Sequence, residues 1–131
     1  MNNSNKTILL AEDDFDYKEQ MILNLTNFGF NVISADTQKE AEELLNKLTP
    51  DIAIFDLMME NQDSGFILAH KTKMKNADIP VIIATAVGAE TGMLFNVETE
   101  QDKKWLGADL ILEKGIRPDQ LHREINKLLK I

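Results

Sequence analysis

The chain has 131 residues, 44% of them hydrophobic and 27% charged, with a net charge of −8 and no cysteine. One folded core is within reach of that length, and the totals exclude a disordered tail, a disulfide scaffold and a thiolate metal site. The acidic balance argues against nucleic-acid binding by this surface, and no apolar run approaches a membrane span.

The opening "MNNSNKTILLAEDD" has one lysine and a short apolar run ending in acids, a pattern unlike a secretory leader. With the lack of cysteine, it points to a cytoplasmic protein. Its "TILLA" (7–11) is the first of five short runs rich in branched apolar residues. A helix is predicted over 15–28, with Phe15, Met21, Ile22, Leu25 and Phe28 on its apolar side and Gly29 as its stop. The strand "NVISA" (31–35) follows, then a helix over 37–48. Thr37 and Glu40 have capping-box spacing there, Ala41, Leu44, Leu45 and Leu48 share a face, and Pro50 bars continuation. Next come "DIAIF" (51–55), a less regular helix over 66–76, and "VIIAT" (81–85).

Residues 87–107 form a connection well above the roughly 2–6 residues usual between such elements. Thr99 is placed to cap a short helix over 100–106 that stops at Gly107. The rest reads as an extended loop whose Met93, Leu94, Phe95 and Val97 dock on the body, with Trp105 as a further anchor. "LIL" (110–112) is the fifth strand. Pro118 then opens a last helix with Leu121, Ile125, Leu128 and Leu129 as its stripe. His70 and His122 lie in charged helical surroundings and read as surface residues.

Near-continuous apolar strands alternating with amphipathic helices predict an α/β fold, a doubly wound parallel sheet covered on both faces. Sites in such sheets form beyond the carboxyl ends of the strands. Those ends carry Glu12, Asp13 and Asp14 after strand 1, Asp56 at strand 3, Thr85 at strand 4, and Glu113 and Lys114 at strand 5. Singly, each has a plain reading: an acid capping the first helix, a buried hydroxyl, a solvated lysine. Together they make a different case. Carboxylates crowded at one mouth raise each other's pKa unless a cation joins them, and hard oxygens with open positions suit Mg²⁺. With Lys114 as a second cation and Thr85 as a donor, the set suits phosphoryl transfer onto a carboxylate.

The segments "ILLAEDD", "DIAIFDLMM", "PVIIATA" and "GADLILEKG" resemble, in order and spacing, the signatures of the response-regulator receiver domain of two-component signalling. The resemblance covers nearly the whole chain and implies a five-stranded flavodoxin-like sheet in the order 2-1-3-4-5. It implies that Glu12 and Asp13 hold Mg²⁺ with Asp56 and the backbone carbonyl of Met58. It further implies that Asp56 is the phosphoacceptor, Thr85 the switch hydroxyl and Lys114 the family's lysine. The implied partners are a histidine kinase or phosphotransferase and a downstream effector protein. The surface around the strand 4–strand 5 connection, strand 5 and the last helix would respond. A single receiver over 1–131, with no output domain and no turnover enzyme activity, is the expectation.

The chain departs from the family pattern in four respects. Glu60 stands where proline is usual, and Gly65 follows a loop one residue longer than usual. Gly115 replaces the proline after the lysine. A cis bond there would cost about 2.5–4 kcal/mol, against about 0.5–1 before proline, so a trans bond is expected. Ile111 stands where Tyr or Phe usually forms half of a rotamer switch, and residues 87–107 replace most of an ordinary fourth helix. Two other readings compete: a receiver-like interaction module working without phosphorylation, and a Mg²⁺-dependent phosphohydrolase. The second lacks the acid such enzymes carry two residues after the nucleophile, where this chain has Met58.

Overall fold

A computed structural model describes residues 6–86 and 107–131. In chain order these form β1 (Thr7–Ala11), α1 (Phe15–Asn27), β2 (Asn31–Ala35), α2 (Gln38–Lys47), β3 (Ile52–Asp56), α3 (Ser64–Lys75), β4 (Val81–Thr85), β5 (Leu110–Glu113) and α4 (Pro118–Leu129). The sheet runs β2-β1-β3-β4-β5, and every pairing is parallel. That is the α/β doubly wound order expected. The short helix over 100–106, the docking loop and Trp105 lie outside the described residues.

Alternation along the strands builds a core on each face of the sheet. Leu9, Phe55 and Ile83 point towards α2 and α3, where Leu45 and Leu68 meet them. Ile8, Leu10, Ile54 and Ile82 point the other way, against Met21 and Leu25 of α1 and Leu121 and Ile125 of α4. β3 is buried along its whole length, whereas the edge strands β2 and β5 are only partly covered.

The helix ends follow their local chemistry. Asp14 caps α1 by accepting from the Tyr17 N–H at 3.1 Å, and Thr37 caps α2 by accepting from the Glu40 N–H at 3.0 Å. The Glu40 carboxylate reaches back to the Asp36 N–H rather than to the cap residue's own. No cis peptide occurs among the described residues, so Lys114–Gly115 is trans, as expected.

One placement needs correcting. His70 is exposed, as expected, but His122 is half-buried rather than exposed. Its ring stacks on Phe28 at 4.1 Å and meets Phe30 edge-on at 6.2 Å. The reason lies in helical spacing: position 122 is three residues before Ile125 and seven before Leu129, so it borders the apolar stripe.

Candidate functional site

Strand register makes the site. Ala11 pairs with Phe55, which brings Glu12 level with Asp56. Asp56 pairs with Ala84 and Thr85 with Glu113, so Thr85 and Lys114 each step one residue further along the same edge. Hydrogen bonds extend the ladder past the strands. The Glu12 N–H donates to Ala35 at 3.0 Å, Leu57 to Ala84 at 2.9 Å, and Lys114 to Thr85 at 2.9 Å.

The side chains converge accordingly. Lys114 Nζ lies 2.8 Å from Glu12 Oε1, 3.0 Å from Glu12 Oε2 and 3.1 Å from Asp56 Oδ1. Glu12 and Asp56 are buried, whereas Asp13 is exposed. One carboxylate oxygen from each of the three lies within 4.8 Å of the others, so the cluster is able to coordinate a divalent metal. Burial pushes the Asp56 carboxyl up to about 8. A hydrogen bond to Glu12 and Glu12's charge push the same way, and Lys114 opposes them. Burial alone would lower the Lys114 ammonium, but its bond to Glu12 and the two carboxylate charges outweigh that and hold it above its ordinary value. Hard oxygens held this close, one of them disfavoured as an anion, suit a hard divalent cation.

The cluster opens into a cavity of about 860 Å³. Asp13, Asp56, Thr85 and Lys114 line its polar side, and Phe66, Ile83 and Ile111 form an apolar wall. Ile111, where the family usually has an aromatic ring, is thus part of that wall. Met58 also lines the cavity and is 54% exposed.

Three residues have roles here that the sequence did not disclose. Lys114 Nζ sits 4.9 Å from the centroid of the Tyr17 ring, a cation–π contact. Burial holds the Tyr17 phenol above its ordinary value despite the nearby lysine. Glu60 accepts from the backbone N–H groups of Gln38 at 2.7 Å and Lys39 at 3.1 Å, tying the β3–α3 loop to the α2 N-terminus. Burial works against its ionisation, but those N–H groups outweigh it and hold Glu60 below its ordinary value. Gly65 was noted only for its spacing. A Cβ there would lie 2.8 Å from the Asp56 carbonyl oxygen and 2.9 Å from Leu57 Cα. Gly65→Ala should therefore cost about 2 kcal/mol in urea unfolding, within the range for overpacking. An alanine variant as stable as the native chain would contradict that close approach.

A family profile described as "Response regulator receiver domain" matches residues 8–126. The chain belongs to that family. Among solved structures, the Francisella response regulator 1452 receiver domain is 26% identical, with a TM-score of 0.75 over 95% of this chain and 97% of that one. The fold is shared with TrrA of Thermotoga maritima at 23% identity and a TM-score of 0.76, covering 94% of this chain and 98% of that one. Among curated proteins, the probable transcriptional regulator ycf27 of Porphyra purpurea is 28% identical over 130 residues, 99% of this chain and 50% of that protein. The transcriptional regulatory protein CssR of Bacillus subtilis is 29% identical over 125 residues, 95% of this chain and 52% of that protein. The receiver thus spans about half the length of the curated relatives it matches. No described helix is long and apolar enough to cross a membrane.

Proposed function

We propose that this receiver accepts a phosphoryl group on Asp56 and passes the signal to a partner protein. The observation that carries the reading is the Asp56 carboxylate held 3.1 Å from Lys114 Nζ, beside two further acids placed for one divalent ion. An Asp56 oxygen attacks the phosphorus of a phosphohistidine on a histidine kinase or phosphotransferase. The phosphorus–nitrogen bond breaks, its electron pair leaves with the imidazole, and an acyl phosphate remains. Lys114 and the Thr85 hydroxyl face the charge on the phosphoryl oxygens.

Glu12, Asp13, Asp56 and the Met58 carbonyl would hold Mg²⁺, which when bound neutralises charge on the transferring group. The likeness to TrrA, whose structure is described as a complex with Mg²⁺-BeF, supports that assignment. The chain catalyses its own modification and is not a turnover enzyme. Its downstream partner is an effector protein, and the cytoplasm is the fitting compartment. Neither nucleic acid nor membrane is a direct partner in this reading.

The test is acyl phosphate formation from acetyl phosphate, with Mg²⁺ and with EDTA in its place. Modification that requires the metal supports the proposal. Modification that proceeds equally with EDTA contradicts the metal's role, and none under either condition favours the interaction module.

A further inference from the structure

We infer that Tyr17 is a positioning residue that holds the Lys114 ammonium over its ring, in line with Asp56. The consequence for phosphoryl transfer rests on reading Asp56 as the acceptor; the contact itself does not.

Lys114 follows β5 in a turn closed by the Ile116 N–H donating to Glu113 at 3.1 Å. A Cβ built at Gly115 meets nothing within 4 Å, so open space lies beside the chain just after the lysine. A lysine has a long flexible stem and loses much freedom when its end is fixed. What fixes this one is Glu12 at 2.8 and 3.0 Å, Asp56 at 3.1 Å and the Tyr17 ring at 4.9 Å.

The carboxylate contacts depend on the state of the site. Glu12 and Asp56 are also two of the three acids that could each give one oxygen to a divalent ion. A metal that takes one oxygen from each competes with Lys114 for these carboxylates. The ring face is different: it offers no ligand to a hard cation and remains available to the ammonium. The Tyr17 backbone is held by its N–H donating to the capping Asp14 at 3.1 Å in the first turn of α1, and its side chain packs against the core. Tyr17 is thus the one contact among these four whose partner is not shared with the ion. Without it, the lysine would keep its charge but lose a defined direction.

The experiment compares the native chain with Tyr17→Phe, Tyr17→Leu and Tyr17→Met, each with and without Mg²⁺. NMR of the Lys114 ε-methylene protons reads the contact directly, because an aromatic face shifts them upfield. The shift should persist with Mg²⁺ in the native and Phe chains and vanish in both ring-free chains. The initial rate of modification by acetyl phosphate should fall about threefold or more in the ring-free chains and be restored by Phe. Equal Lys114 shifts in the native and ring-free chains would overturn the inference, as would a Phe chain that behaves like Leu. Should no chain be modified, the phosphoacceptor reading fails, and the proton shifts still decide the role of Tyr17. Two ring-free variants are used so that a folding defect in one leaves the comparison intact.

Discussion

Lys114→Met should destabilise the metal-free protein by about 3 kcal/mol at pH 7, the lower part of the range for breaking a buried ion pair. Methionine preserves most of the stem and removes only the charge. Glu12, whose side chain is 1% exposed, then loses the cation at 2.8 Å, and Asp56 loses the group that opposes its raised pKa. The lower figure is chosen because Lys114 itself keeps 17% of its surface in water. Mg²⁺ should stabilise the variant more than the native chain, since the ion supplies charge where the lysine is missing. Urea unfolding with and without Mg²⁺ reads both effects. A metal-free variant as stable as the native chain would show that Lys114 does not balance the carboxylates.

The second large effect has the opposite sign. Asp56→Asn should stabilise the metal-free protein by about 2 kcal/mol at pH 7. In the folded chain the Asp56 carboxyl lies near 8, against an ordinary 3.8, because of burial and then Glu12. Between those values the folded state binds more protons than the unfolded state, so stability falls as pH rises from about 4 to about 8. Asparagine has no proton to lose and removes that slope. The native curve should therefore decline across the window while the variant's stays flatter. A native chain more stable than the variant at pH 7 without metal would contradict the placement of Asp56 in a buried acidic cluster.

Much of this was legible because the signals are local. The five strands are runs of branched apolar residues, Thr37 and Glu40 mark a helix start, and Pro118 marks another. Asp56 stood out as an acid ending a strand that is otherwise wholly apolar. Strand ends in a parallel sheet share a side, so the convergence of Glu12, Asp56, Thr85 and Lys114 followed from fold class. Tyr17 and Glu60 were not legible in this way. Tyr17 meets Lys114 across almost the whole length of the chain, and Glu60 reaches Gln38 and Lys39 through a turn whose shape no local pattern encodes. His122 was misread for another reason: its charged neighbours in sequence are not its neighbours in space, where Phe28 and Phe30 surround it.

The most direct measurement is the intact mass of the native chain and of Asp56→Asn after incubation with acetyl phosphate and Mg²⁺, followed by mapping of the modified residue. The account predicts one added phosphoryl group on the native chain, carried by Asp56, and none on the variant. An undiminished addition in Asp56→Asn, or a phosphoryl group mapped to another acid such as Asp13, would contradict it.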